Sequence, residues 1–385
     1  MDYLLTEEQT MLQDLARQIA MERIKPIRAQ LDEEEIFPTE IIKDLAQADL
    51  CGVIIPEEYG GLGLGAMENC LVGEALATGC VGVATTFGAS LLGSYPLLYY
   101  GTDAQKRAYL PRLAKGEALA AFCLTEPQAG SDAGAILTTA VKDGDSYVLN
   151  GTKQWITNAG EAEIYTVIAL TDPAKGVRGA SALLVEKSDP GISFGKKEQK
   201  MGIRASVTRE VILEDCRIPK DRLLSREGMG FLITMKTLDL ARPGVGASAV
   251  GLAQAALDEA AAFAKERQQF GAPIFSFQAV QHLLANMATK VEAARALVYS
   301  VARFMDTKPK DFSKAAAMAK VFATDMAMEV TVDAVQVMGG HGYMREYPVE
   351  KMMRDAKILQ IFEGTNQIMR NIIGLALNKE YSKKK

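Results

Sequence analysis

The sequence predicts a mostly helical α+β protein in which a small antiparallel β domain separates two helical domains. Three observations indicate this fold. The chain has 385 residues, which is too long for one ordinary domain. Both ends carry helical hydrophobic patterns, and short β-rich segments fill the middle. We therefore expect an N-terminal helical domain over residues 1–120, a central β domain over 121–230 and a C-terminal helical bundle over 231–385.

Helix starts and helix breaks alternate in the N-terminal region. Thr6-Glu-Glu-Gln and Thr39-Glu-Ile-Ile open helices, and Pro56 begins a segment that breaks the pattern. The run Gly61-Leu-Gly-Leu-Gly-Ala66 matches a dinucleotide fingerprint by its spacing. A strand should precede such a fingerprint and an acidic residue should follow about twenty residues later, and because both are missing we interpret the run as a loop.

The central region holds four β-rich segments, which are separated by turn residues such as those of Asp143-Gly-Asp and Asp189-Pro-Gly. This spacing predicts a compact antiparallel unit, either a sandwich or a barrel. The four segments are Tyr147–Lys153, Ile164–Leu170, Ala180–Glu186 and Arg209–Glu214.

From about residue 229 the pattern becomes helical again. The three long helical segments are Ala247–Arg267, Phe277–Met305 and Phe312–Met338. Long helices with short connections favour a bundle.

The composition argues against several classes of function. The chain is 48% hydrophobic and 24% charged, with a formal net charge of -5. Nucleic-acid binding is disfavoured because contact with phosphates needs a basic face. The one basic cluster, Lys383–Lys385, is interpreted as a frayed tail. Two histidines, His282 and His341, make a His-rich metal site implausible, so we expect no metal.

The cysteines and the N-terminus indicate the cellular setting. Five cysteines without a CxxC pair are typical of reduced thiols in a cytosolic compartment. The acidic start lacks the layout of a signal peptide, and no apolar segment is long and uninterrupted enough to predict a membrane span. We expect a cytoplasmic protein of a prokaryote, or a protein of the mitochondrial matrix if a transit peptide has been removed.

Two segments could bind a ligand. Phe122–Asp132 gathers hydroxyls, a proline-fixed turn and backbone donors near Gly130, which could hydrogen-bond a polar heterocycle or a phosphate. The alternative is a plain connector whose Ser and Thr side chains stabilise turns. Trp155 and Thr157 share one face of a predicted strand and could line a planar ring, although a lone Trp is more often a core residue.

The sharpest feature is Glu363, within Gln360-Ile-Phe-Glu-Gly-Thr-Asn-Gln-Ile368. Apolar surroundings raise the pKa of a carboxyl group, which suits it to proton abstraction near neutral pH. A solvated Glu at the start of a helix is an equally good interpretation of the residues alone.

Taken together and in order, these segments resemble the signatures of the acyl-CoA dehydrogenase family, and the resemblance runs from about Leu5 to Ile373. The segments that carry it are Leu124-Thr-Glu-Pro-Gln-Ala-Gly-Ser-Asp132, Trp155-Ile-Thr157, Glu266-Arg-Gln-Gln-Phe-Gly271, Gln336-Val-Met-Gly-Gly340 and Gln360–Ile368.

The resemblance implies a central β-barrel, a C-terminal four-helix bundle and a homotetramer, built as a dimer of dimers, with FAD between subunits. Residues implied to contact FAD are Phe122, Leu124, Thr125, Ser131, Trp155, Thr157, Arg267, Phe270, Gln278, Gln336, Gly340, Thr365 and Gln367. Residues implied to contact the acyl-CoA are Ser131, Asp239, Arg242 and Gly364.

The resemblance also implies a reaction, in which Glu363 removes the α-proton of an acyl-CoA and electrons pass to electron-transferring flavoprotein. Ala241 stands where branched- and long-chain relatives place their base, so the short- and medium-chain group is favoured. The segment Val81–Tyr100 has no charged residue, which favours a neutral short- or medium-chain, branched or cyclic acyl group. Phe362 and Gly88 leave the chain length open.

Three alternatives share these features. An acyl-CoA oxidase or an enoyl-CoA reductase would use the same half-reaction, and a non-catalytic assembly factor would use the surface of the same fold.

Overall fold

The computed structural model describes residues 3–382, so the predicted tail at Lys383–Lys385 lies outside the described residues. The N-terminal region is helical, as predicted. Thr6 caps the first helix, because its side chain accepts the N–H of Gln9 while the Gln9 side chain accepts the N–H of Thr6, both at 3.1 Å. The helices are α1 (Glu7–Ile19), α2 (Arg28–Glu33), α3 (Thr39–Gln47), α4 (Ala66–Gly79), α5 (Val81–Tyr100) and α6 (Asp103–Ala114).

Residues 61–65 of this run form a loop and Ala66 begins α4, which confirms the interpretation of the run as a loop. A Cβ atom on Gly61 would lie 2.1 Å from the carbonyl oxygen of Ile55. The close approach of two backbone segments therefore requires glycine at position 61.

Helix α5 is long and apolar enough to cross a membrane by length and composition alone, which the sequence interpretation missed. However, 72% of its most apolar window is buried inside the protein. It packs against β1 (Ala120–Cys123) and against α4. Helix α5 is therefore a helix of the protein core.

The central region is one eight-stranded sheet in the order β6-β7-β3-β2-β4-β5-β8, with β1 beside β4. The four predicted segments correspond to β3, β4, β5 and β7, whereas β1, β2, β6 and β8 were not predicted. The strands after β1 are β2 (Thr139–Asp143), β3 (Ser146–Thr157), β4 (Ile164–Leu170), β5 (Ala180–Glu186), β6 (Ile192–Phe194), β7 (Thr208–Pro219) and β8 (Leu223–Leu224).

Most neighbouring strands are antiparallel, as predicted, but β4 pairs in parallel with both β1 and β2. Parallel pairing needs a long connection, and the long segments that separate β1 and β2 from β4 provide one. All seven residues of β4 are buried, so its apolar run lies in the centre of the molecule.

The C-terminal region is a helical bundle followed by two further helices. The predicted bounds of α8 and α9 agree with the structure to within a residue. Helix α7 begins at Gly230, in agreement with the predicted return to helix from about residue 229, and the Ala-rich segment predicted from Ala247 is its second half. Pro243 lies inside this helix without ending it. The helices are α7 (Gly230–Glu266), α8 (Gln278–Asp306), α9 (Ser313–Met338), α10 (Val349–Leu359) and α11 (Asn366–Ser382).

Helix α7 joins the parts of the molecule. It packs against α8 and α9 of the bundle, against α4 and α5 of the N-terminal region, and against β4 and β5 of the sheet. A single helix therefore borders all three regions, and the candidate site lies beside its first half.

Candidate active site

A cavity of about 1070 Å³ opens where the sheet meets both helical regions. Its inner wall comes from α4, α5 and α7, and Ser131, Asp132 and Lys357 are exposed at its outer edge. The predicted site residues that line it are Phe122, Leu124, Thr125, Ser131, Trp155, Thr157, Arg242, Glu363, Gly364 and Thr365.

Glu363 lies in the turn between α10 and α11 and lines the cavity. Its φ angle is 53° and that of Gly364 is 95°, so two consecutive residues adopt left-handed conformations. A left-handed conformation is uncommon for a residue with a side chain, and strain of this kind concentrates at functional sites. The turn presents the Glu363 carboxyl group to the cavity instead of continuing the helix.

Hydrogen bonds to side chains of helix α9 hold this turn in place. The Lys320 ammonium donates to the carbonyl of Gly364 and to Asn366 Oδ1, both at 2.8 Å. Asn366 Nδ2 donates to Asp325 Oδ1 at 2.7 Å, and Gln360 Nε2 donates to the same oxygen at 2.7 Å. Both sides of the turn are therefore fastened to one rigid helix.

The charge on Glu363 is controlled by burial. Burial raises the pKa of its carboxyl group to about 7, although Lys320 and Arg242 act in the opposite direction. Its Oε2 atom is buried and accepts no hydrogen bond from any residue within 3–382. A carboxylate with a raised pKa and an unpaired oxygen at a cavity wall can accept a proton near neutral pH.

The sequence interpretation missed Lys320. Burial lowers the pKa of its ammonium group to about 7, with Glu363 acting to raise it. In the sequence it is one lysine in the Ala-rich segment 315–321, which is typical of a solvated helix face. Only the folded structure brings it beneath the turn that carries Glu363.

Arg242 lies on α7 opposite this turn, and its guanidinium forms an ion pair with Asp239 one turn earlier on the helix. The Ser313 hydroxyl also donates to Asp239 Oδ1 at 3.0 Å. Arg242 lines the cavity, whereas Asp239 does not. The structure thus places Asp239 as a partner that orients Arg242.

The segment from Leu124 to Thr138 is fixed by a buried ion pair. Lys153 Nζ lies 2.7 Å from Glu126 Oε1, and both side chains are buried. Glu126 also accepts the backbone N–H groups of Leu137 at 2.7 Å and Thr138 at 3.0 Å. Burial alone would raise the pKa of Glu126, but Lys153 and these hydrogen bonds lower it to about 2. The segment is therefore a fixed wall of the cavity.

Trp155 is not a core residue, which removes the alternative interpretation and leaves the one in which it lines a planar ring. Its side chain is 58% exposed, and both Trp155 and Thr157 line the cavity. The register of β3 against β7 shifts between Lys153 and Ile156, and Trp155 in this bulge has a φ angle of 56°. The bulge turns the indole out of the sheet.

This wall fits a flat heterocyclic cofactor. The exposed indole of Trp155 provides an aromatic surface, and the Thr125 and Thr157 hydroxyls offer hydrogen bonds beside it. A Cβ atom placed on Gly130 would meet nothing within 4 Å, so a ligand can approach the backbone there.

A second set of predicted site residues lies outside the cavity. Ser248 is the last residue of α7 that lines it, and the end of α7 is roughly 27 Å further along the axis at 1.5 Å per residue. The Phe263 and His341 rings meet there at 5.3 Å, which joins the ends of α7 and α9. The exposed residues at this end are Arg267, Phe270, Gln278, Gln336 and Gly340.

Phe270 is 96% exposed, although it is a large apolar residue. Gln367, in the first turn of α11, is also exposed and does not line the cavity. Neither residue therefore belongs to the cavity lining of its own chain.

Three family models match consecutive parts of the chain. They describe the N-terminal domain of acyl-CoA dehydrogenase over residues 6–117, its middle domain over 121–216 and its C-terminal domain over 228–377.

Known proteins match the chain over almost its whole length. An acryloyl-CoA reductase (NADH) of Anaerotignum propionicum is 47% identical over 381 residues, which cover 98% of this chain and 96% of that protein. Butyryl-CoA dehydrogenase from Megasphaera elsdenii has a TM-score of 0.95 and 43% identity, covering 98% and 100% of the two chains. A chain in a structure of the electron-transferring flavoprotein of Acidaminococcus fermentans has a TM-score of 0.96 and 49% identity, covering 98% and 99%.

Proposed function

The chain belongs to the acyl-CoA dehydrogenase family of oxidoreductases, and we propose that it is an FAD-dependent dehydrogenase of a neutral short- or medium-chain, branched or cyclic acyl-CoA. The product is the trans-2-enoyl-CoA. One observation carries this proposal: Glu363 presents an unpaired oxygen with a raised pKa to the same cavity that Trp155, Thr125 and Thr157 line with a wall suited to a flat heterocycle. A panel of acyl-CoA thioesters assayed with a dye as electron acceptor tests it.

Glu363 acts as the general base in this proposal. As the α-proton moves to its carboxylate, negative charge grows on the thioester carbonyl, which the backbone N–H of Glu363 stabilises by donating a hydrogen bond. FAD held by Phe122, Leu124, Thr125, Trp155 and Thr157 would supply the oxidant that accepts the β-hydrogen of the acyl chain. Arg242 holds the CoA portion near the turn, and Ser131 does so at the outer edge.

The proposed cofactor site has two halves on different chains. Phe122, Leu124, Thr125, Trp155 and Thr157 hold the flavin ring in the cavity. The exposed set at the far end of α7 contacts the FAD of a neighbouring subunit, because that end is too far from its own cavity. An exposed arginine such as Arg267 suits a pyrophosphate, whose paired oxygens match the guanidinium fork. This arrangement supports a homotetramer built as a dimer of dimers.

Arg267→Ala should therefore reduce FAD retention and weaken the assembly together. FAD that binds only the assembled form stabilises that form. Losing a contact to FAD therefore lowers both the FAD content and the stability of the assembly. The FAD content of the purified protein and its sedimentation measure the effect. Lys265→Ala, an exposed change in the last turn of the same helix, is the control. Unchanged FAD content and sedimentation for Arg267→Ala would remove this residue from the proposal.

Gly88→Leu should shift the preference of the enzyme towards shorter acyl chains. Gly88 lines the cavity, and a Cβ atom there would meet nothing within 4 Å, so a larger side chain fills open space and does not clash. Each methylene that loses its apolar contact costs about 0.8 kcal/mol, so two lost groups lower kcat/KM roughly tenfold. Gly88→Ala is the matched control. A chain-length profile that does not change would show that this wall does not bind the acyl chain.

In this proposal, electron-transferring flavoprotein is the electron acceptor of the enzyme. The enzyme is also proposed to be cytoplasmic. The similarity to a chain in a structure of that flavoprotein supports the choice of acceptor. The reverse reaction, reduction of an enoyl-CoA, is a second candidate because a reductase is among the relatives. Comparing acyl-CoA oxidation with enoyl-CoA reduction under matched dye potentials separates the two. Rapid reoxidation by oxygen would instead indicate an oxidase.

A further inference from the structure

The inner end of the cavity carries two polar side chains that play no part in the proposed dehydrogenation. Asn69 on α4 and Tyr95 on α5 line the cavity and are only 8% and 5% exposed. Neither side chain forms a hydrogen bond within residues 3–382, yet their polar atoms are not enclosed by protein and so reach the cavity. Buried amides and phenols are normally hydrogen-bonded, because leaving them unpaired costs free energy.

The two groups lie on adjacent helices of the inner wall of the cavity. Asn69 Nδ2 is 3.4 Å from the Cβ position of Gly244, on the stretch of α7 that forms the inner wall. Burial is the main cause that raises the pKa of the Tyr95 hydroxyl, and the nearby Tyr99 and Cys70 raise it further. Helices α4, α5 and α7 pack against one another, so Asn69 and Tyr95 lie on neighbouring helices that line the same cavity.

The charges around this end disfavour an ionic ligand. Helix α5 has no charged residue, and the groups that act on Tyr95 include the carboxyl groups of Glu363 and Asp306. A carboxylate would be repelled, and an ammonium group would need an ionised partner that neither Asn69 nor Tyr95 supplies. A neutral group that both donates and accepts a hydrogen bond matches a phenol beside a carboxamide.

We propose that the inner end of the cavity binds a neutral oxygen substituent, a hydroxyl or keto group, on the acyl chain beyond its β-carbon. The Tyr95 hydroxyl donates to this oxygen, and the Asn69 carboxamide completes the pairing. The inference rests on the proposed acyl-CoA dehydrogenation and narrows its substrate class. A purely aliphatic chain would leave both polar groups unpaired, and a site built to hydrogen-bond a hydroxyl discriminates strongly against the analogue that lacks it.

The test compares straight-chain acyl-CoAs with the same chains carrying one hydroxyl group beyond the β-carbon, on the FAD-loaded enzyme. The hydroxylated member of the best pair should have a kcat/KM at least about tenfold higher. Tyr95→Phe and Asn69→Leu should each remove most of this preference, measured as the ratio of kcat/KM for the two members of a pair. Tyr99→Phe, an exposed change on the same helix outside the cavity, should have no effect. Thermal unfolding of each variant confirms that it is folded.

The outcomes separate this inference from the proposed function. If plain chains are oxidised and hydroxylation brings no gain, or the preference survives in both variants, the inference is overturned and the inner end holds only water. If no acyl-CoA of either kind reduces the flavin, the proposed function itself fails and the inference fails with it.

Discussion

Glu363→Gln should reduce acyl-CoA dehydrogenation by at least about 10²–10⁴-fold, because general base catalysis alone contributes that much. Glutamine keeps the size of the side chain and its hydrogen-bonding capacity but cannot take the α-proton. Steady-state rates with a dye acceptor measure the loss. Since the pKa of Glu363 is raised to about 7 and the base must be ionised, wild-type kcat/KM should rise with pH through about 7. Residual activity of the variant should lack that rise.

Two controls isolate basicity from packing. Glu346→Gln changes an exposed glutamate and should leave the rate unaltered. FAD content and thioester binding of Glu363→Gln should stay near wild type, since the turn is held by Lys320 and Asn366 and not by the Glu363 carboxyl group.

Ala241 also lines the cavity, so adding Ala241→Glu to the variant should restore part of the activity. Substantial turnover by the single variant would instead mean that another group in the cavity accepts the proton.

Lys153→Met should destabilise the protein by about 3–5 kcal/mol, because removing one partner of a buried ion pair leaves an uncompensated charge. The side chains of Lys153 and Glu126 are 0% and 2% exposed, and Glu126 also holds the backbone at Leu137 and Thr138. Chemical denaturation measures the loss, and FAD retention should fall as the wall loosens.

The depressed pKa of Glu126 means that its stabilisation is present above the usual carboxyl pKa and is lost only as the pH falls towards about 2.

The control for this change is an ion pair of similar length at the surface. Lys175 and Asp172 are 2.6 Å apart but largely exposed, so Lys175→Met should leave the free energy of unfolding unchanged within error. Equal effects for the two lysines would show that the Lys153–Glu126 pair does not fix the cavity wall.

The fold was predictable from the sequence where local pattern and tertiary packing agree. Helices α8 and α9 have regular apolar spacing and clear ends, and their predicted bounds agree with the structure to within a residue. The predicted return to helix at about residue 229 agrees with the start of α7, and packing against the sheet and α4 outweighs the propensity of the interior Pro243 to break this helix. Short strands such as β1 and β6 carry too few residues to show an alternating pattern.

The candidate site was predictable in its parts and not in its assembly. An apolar setting around Glu363 is visible in the sequence, and the structure adds the free Oε2 atom. Lys320 and Lys153 could not be predicted, because a lone lysine in an Ala-rich helix or a strand is typical of a solvated face. Their burial depends on neighbours 44 and 27 residues away in the sequence, at Gly364 and Glu126.

The most direct test of Glu363 as the base follows the α-proton alone. An acyl-CoA analogue that has no hydrogen on the atom in the β position cannot transfer a hydride, but its α-hydrogens can still exchange with solvent. In deuterated buffer the wild-type enzyme should catalyse exchange at the α-carbon, detected by mass spectrometry, with the rate rising through the pKa of Glu363. Glu363→Gln, loaded with FAD and the same analogue, should show exchange at the uncatalysed rate. Exchange by the variant at the wild-type rate would contradict the assignment and place the base elsewhere in the cavity.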